Sequence, residues 1–172
     1  MIFLTVGTLF PFDRLVKVVD EAADSGKLSE EILAQIGDSS YRPRNFQAVS
    51  YMDKELFDEH VRKASGIISH AGMGSITAAL SNNKPLLVMP RLRQYAEHVN
   101  DHQLAIAKKF EHLGHLLAVY NEDDMPDKIR ALRHFVPTKR ETQVEEVARR
   151  ISMFLDELCE SGQDLPGRER NS

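Results

Sequence analysis

One cysteine, Cys159, stands in 172 residues, so no disulfide can form within the chain, and a reducing, cytoplasmic compartment is expected. No apolar run approaches the roughly 18–20 residues of a membrane span. The opening MIFLTVG is apolar but lacks a basic flank and a small-residue cleavage site; it is expected to be a first core strand and not a signal peptide. Any association with a membrane is therefore expected to come through a partner or a surface patch. Positive charge is not in excess either. Lys and Arg number 22 against 26 Asp and Glu, a net charge of −4, which argues against a nucleic-acid partner. Several ligand signatures are missing or incomplete. There is no GxxxxGK[ST], so a P-loop is excluded. Gly72-Met73-Gly74 starts a dinucleotide fingerprint, but Thr77 holds its third glycine position and no acidic residue closes the next strand. His98 and His102 are four apart, as paired metal ligands are, yet Val99 stands where HExxH needs Glu, so no metal site is expected.

What is present is the balance of a globular domain, 42% hydrophobic and 28% charged. Short apolar runs predict strands at 2–6, 32–36, 67–69, 86–89 and 116–119, with a further short strand at 46–51. Phe12, Leu15, Val16, Val19, Ala22 and Ala23 fall at helical spacing and predict a helix stopped by Gly26. Further helices are expected at 53–64, about 75–82, 97–112 and 122–134. Thr138 and Glu141 form a capping box that opens a last helix to 158, striped by Val144, Val147, Ala148, Ile151, Leu155 and Leu158. Alternating strands and helices predict an α/β domain with a parallel sheet covered on both faces, spanning 1–160, followed by a polar, disordered tail at 161–172.

Ligands of such sheets bind outside the carboxyl ends of the strands. Two turns lie there, Gly7-Thr8 and the segment from His70 to Ser75, and both are expected to face one crevice. The second runs strand, glycine turn, helix. It is an anion site in the making, because backbone N–H groups at the helix start point outward with no side chain in the way. His70 and Ser75 add donors. The same turn also joins strands to helices in proteins that bind nothing there. His70 has three available roles: a ring satisfied at a strand end, a phosphate donor, or a general base whose partner is not identifiable. The stretch from Glu97 to Gln103 is dense in groups that hold sugar hydroxyls, although acidic residues also suit a solvated helix start.

His70-Ala71-Gly72-Met73-Gly74-Ser75, then Lys84-Pro85 and a strand ending in Pro90, then Asn100-Asp101-His102-Gln103, resembles the donor-binding, C-terminal half of glycosyltransferase family 28. It is most similar to the family's single-domain soluble subunits, both the bacterial capsule and exopolysaccharide type and the eukaryotic type that acts on a dolichol-linked precursor. Thr5-Val6-Gly7-Thr8, followed by Phe12-Asp13 and Leu15, extends the resemblance over about 1–155. It implies a Rossmann-like domain, one half of a GT-B fold, and a nucleotide-sugar donor, most often a UDP-sugar. It implies that His70, Gly72, Gly74 and Ser75 hold the diphosphate, Gly7 and Thr8 line the opposite wall near it, and Asp101 and Gln103 hold the donor sugar, with Asn100 a further substrate-binding candidate beside them. Relatives place a ribose-binding Glu where this chain has Ala78, which leaves Glu97 as the candidate ribose ligand. The resemblance implies a reaction that needs neither metal nor cofactor, consistent with the lack of a DxD pair beside the turn. The length accommodates one of the two GT-B domains, too few residues for a two-domain sugar epimerase. A membrane-anchored partner subunit is expected to present a lipid-linked acceptor, with this chain peripheral at the inner membrane face. The rival expectations are a nucleotide-sugar-binding module without catalysis and a subunit that only stabilises its partner.

Overall fold

The computed structural model describes residues 1–24 and 30–138; Gly26, the helix expected at 138–158 and the tail at 161–172 lie outside the described residues. Six strands alternate with helices: β1 (Ile2–Thr5), α1 (Asp13–Asp24), β2 (Ile32–Gln35), β3 (Gln47–Val49), α2 (Lys54–Lys63), β4 (Gly66–His70), α3 (Met73–Ser81), β5 (Leu86–Met89), α4 (His102–His112), β6 (Leu117–Ala118) and α5 (Met125–Leu132). All strand pairs are parallel, in the order β3-β2-β1-β4-β5-β6. That is the predicted Rossmann-like sheet.

The continuous apolar runs are explained by burial on both faces. In β1, Ile2 and Leu4 join a core with α1 and α5, through residues such as Leu15, Val19, Ile129 and Leu132. Phe3 points the other way, into a second core with Val61 of α2, Ile76 and Ala79 of α3 and Ala107 of α4. Phe3 and Leu4 are fully enclosed, and burial of each such side chain stabilises by roughly 1.5–3 kcal/mol. The period of two along a strand divides its side chains between the two cores.

The strand order fixes the functional end. After β1 the chain crosses toward β2 and β3; after β4 it crosses the other way, toward β5 and β6. Between β1 and β4 the loops part, and a crevice opens at their carboxyl ends, the place where open α/β sheets bind ligands. Register puts Thr5 beside Ser69 across this junction, and the Ser69 hydroxyl donates to the Thr5 carbonyl at 2.7 Å.

Two elements differ from expectation. The helix predicted over 97–112 begins only at His102. Residues 97–101 are held in a loop because their polar side chains bond the chain just before them: Glu97 accepts from Leu92 N at 2.9 Å and Asp101 from Arg93 N at 2.8 Å. The helix predicted over 122–134 opens with a tighter 3-10 turn at Glu122–Asp124, and α5 proper ends at Leu132.

Candidate functional site

At the β1–β4 junction lies a cavity of about 580 Å³. Its walls come from the loop after β1, the end of β2, the start of α2, the β4–α3 turn and the loop after β5. Among the described residues no carboxylate lines it, whereas Arg91 and Lys54 both do. The cavity favours an anion.

The glycine turn supplies one wall. Gly72 caps α3 with its backbone alone, and the first intrahelical bond is Ile76 N to the Gly72 carbonyl at 3.1 Å. Among the described residues, no partner is recorded for the N–H groups of Met73, Gly74 and Ser75, which open the helix. These are the orphan donors of a helix start, with the positive end of the helix dipole behind them. The glycines have different tasks. A Cβ on Gly74 would meet nothing within 4 Å, so its bareness leaves space in front of the helix. A Cβ on Gly72 would fall 2.1 Å from Cε1 of His70, and one on Gly7, whose φ is +77°, would fall 2.9 Å from its Nε2. Gly7 and Gly72 therefore make room for the imidazole between the two turns.

That ring is fixed by its neighbours. The backbone N–H of Arg91 can only donate, so Gln103 turns its Oε1 to it at 3.2 Å. The Gln103 amide nitrogen then faces His70 Nδ1 at 3.3 Å and donates to it. The ring proton consequently sits on Nε2, which lies 3.4 Å from Ser75 Oγ. Burial above all, and then the charge of Arg91, lower His70 to about 4, so the ring is neutral at neutral pH. His70 is a hydrogen-bond donor toward the cavity, and neither nitrogen is left free to take a proton from a substrate.

Arg91 was not singled out by the sequence. It is 3% exposed, and its Nη2 donates to the carbonyls of Val6 at 2.8 Å and Phe10 at 2.6 Å. Its guanidinium lies 5.0 Å from the Phe12 ring centroid. Burial lowers it to about 10, which leaves it charged at neutral pH. Its position just after the carboxyl end of β5 was the available signal. Gln35, Met52, Lys54 and Phe57 also line the cavity unforeseen.

Of the predicted site residues, the structure brings Gly7, Thr8, His70, Gly72, Gly74, Ser75 and Gln103 to one cavity. It does not bring Asn100 or Asp101 there. Asn100 Oδ1 pairs with His102 Nδ1 at 2.5 Å, and Asp101 holds Arg93 N. Glu97, the candidate ribose ligand, does not line the cavity either. Its Oε1 accepts from Arg14 Nε at 2.6 Å and its Oε2 from Arg14 Nη2 at 2.7 Å, besides the bond from Leu92 N, so the carboxylate is spent inside the protein. Arg14 also donates to the Pro90 carbonyl at 3.1 Å. The pair straps the loop after β5 to α1. Ala78 does not reach the cavity wall either. His98 lines the cavity, stacked edgewise on His102 with centroids 4.5 Å apart. Among the described residues, no group of three His, Cys, Asp or Glu is placed to hold a metal ion. No described helix is long and apolar enough to cross a membrane.

The open parallel sheet, divided at the β1–β4 junction, is that of one half of the two-domain GT-B glycosyltransferase fold. The chain belongs to the family of the glycosyltransferase family 28 C-terminal domain, whose model matches residues 1–154. It is 34% identical over 124 residues to the human UDP-N-acetylglucosamine transferase subunit ALG13, a match covering 67% of this chain and 10% of that protein. Among solved structures, Acinetobacter baumannii MurG superposes with a TM-score of 0.59 at 18% identity, covering 78% of this chain and 42% of that one. The solution structure of an ALG13 gives 0.56 at 20% identity, covering 85% and 93%. The chain thus matches about a tenth of the human relative's length and less than half of MurG, and nearly the whole of the ALG13 domain solved in solution.

Proposed function

We propose that this chain is the donor-binding subunit of an inverting glycosyltransferase that moves a sugar from a nucleotide-sugar, a UDP-sugar first among the candidates, to a lipid-linked acceptor in polysaccharide assembly. The observation that carries the reading is the cavity between the β1 and β4 turns, lined by no carboxylate among the described residues, with the open α3 N-terminus, Arg91 and Lys54 in its walls. A diphosphate placed before Gly74 meets backbone N–H groups, the Ser75 hydroxyl and the Nε2–H of His70. The apolar end of the cavity, with Met52 and Phe57, offers a surface for the nucleoside. The name of the human relative supports UDP as the nucleotide and a subunit as the form of the protein.

In the reaction so proposed, the acceptor hydroxyl oxygen bonds to the anomeric carbon. The bond from that carbon to the diphosphate breaks, and its electron pair leaves with the nucleoside diphosphate. The hydroxyl proton passes to a base. His70 is unsuited to that task, since Nε2 holds a proton and Nδ1 is engaged by Gln103, so the base is assigned to a membrane-anchored partner that also presents the acceptor. The charge that grows on the diphosphate is met by donors already aimed at it, each commonly worth about 3–4 kcal/mol in the transition state. The test is a calorimetric screen of UDP-, GDP- and dTDP-sugars against the purified chain. Binding of a UDP-sugar with competition by UDP is expected; no heat with any nucleotide sugar would overturn the reading.

A further inference from the structure

We propose that Arg91 is the fixed countercharge for the donor's diphosphate, a ligand-binding residue that lines the cavity from the loop after β5. The inference rests on the nucleotide-sugar reading above and adds to it a residue on a different loop. Arg91 is 3% exposed, yet among the described residues no carboxylate forms an ion pair with it. Glu97, the acid nearest in sequence, spends both oxygens on Arg14 and Leu92 N. Among the described residues the buried Nε–H of Arg91 has no hydrogen-bond partner, while the side chain lines the cavity. A buried cation that no carboxylate touches, Glu97 acting on it only at a distance, and that carries an unmade hydrogen bond is an unfavourable arrangement. It persists where something outside the chain completes it, and the cavity beside it has the donors of an anion site.

A purely structural role explains part of this. The two Nη2 bonds to Val6 and Phe10 pin the loop that carries Gly7 and Thr8. They also hold the guanidinium in place on the Phe12 ring, so that it cannot swing out to water. Pinning accounts for neither the missing carboxylate nor the orphan Nε–H. An arginine held this way presents its charge without reorganising when ligand arrives, and the guanidinium is the cation best shaped for phosphate oxygens.

The test follows the Arg91 Nε–H resonance of the ¹⁵N-labelled wild-type protein, assigned by its loss in Arg91→Lys. Addition of UDP, and separately of inorganic pyrophosphate, is expected to shift it; uridine is not. If UDP moves backbone resonances of the glycine turn but leaves the Arg91 Nε–H where it was, the proposal is overturned and the nucleotide reading stands. If UDP moves nothing while pyrophosphate shifts the Arg91 signal, the nucleotide reading fails and the anion contact of Arg91 stands. Calorimetry supplies the second arm. Arg91→Met is expected to weaken UDP about 30-fold, as loss of a charge-assisted bond does, with uridine affinity unchanged and Arg91→Lys recovering part of the loss. Equal losses for uridine and UDP would mark Arg91 as a structural pin only. Should Arg91→Met fail to fold, the wild-type resonance decides.

Discussion

His70 carries the clearest residue-scale consequence. Its imidazole is held near 4 in the folded chain, chiefly by burial, against an ordinary value of about 6.5. Between those values the unfolded chain binds a proton that the folded chain does not, so stability falls as pH drops from about 6.5 to 4. The difference amounts to about 3 kcal/mol once both limits are passed. Urea unfolding across that range should show the loss in the wild type, and His70→Asn should flatten that part of the profile; an unchanged slope in the variant would remove His70 from the account. The glycines separate at the same scale. Gly72→Ala drives a Cβ to 2.1 Å from the His70 ring and must displace it, a destabilisation of about 1–3 kcal/mol in thermal unfolding. Gly74→Val meets open space and should change stability by under about 1 kcal/mol. Two glycines in one motif read alike in sequence. Only the packing around His70 shows that one makes room for a side chain and the other for a ligand.

At the scale of elements, the loop between β5 and α4 depends on the Arg14–Glu97 pair. Arg14 and Glu97 side chains are 15% and 10% exposed, and Arg14 also lies 4.6 Å from the Tyr95 ring centroid. Arg14 also pairs with Glu122 at 3.5 Å, so removing the Glu97 charge loosens the strap without stripping Arg14 of every carboxylate. Glu97→Gln should therefore speed amide exchange in residues 91–101 and weaken nucleotide binding, since the loop carries Arg91; protection equal to the wild type would contradict the strap. The strands, the parallel sheet and the glycine turn were legible in the sequence, because apolar runs and glycine punctuation are local signals. The path of residues 90–101 was not. Whether Glu97 points to ligand or to Arg14 depends on α1, 83 residues away in the chain, and no local pattern encodes that contact. For the same reason Arg91 went unnoticed while Asn100 and Asp101, rich in polar groups, drew the assignment. Gln103 reached the cavity because it opens α4, whose direction follows from the sheet.

At the scale of the whole molecule, residues 1–154 match the glycosyltransferase family 28 C-terminal domain, and the chain covers 42% of MurG's length. The half-enzyme proposal then predicts that the purified chain binds donor yet transfers sugar at a rate near background, and that a membrane-anchored partner restores turnover. Full transfer by the isolated chain would contradict it. The proposed function depends on the cavity before Gly74 being the diphosphate site, and the most direct measurement is calorimetric titration of UDP into the wild type and Gly74→Val. The wild type should bind, and the folded variant should bind at least about tenfold more weakly, with its thermal midpoint essentially unchanged. Equal affinity in a folded Gly74→Val would contradict the central claim.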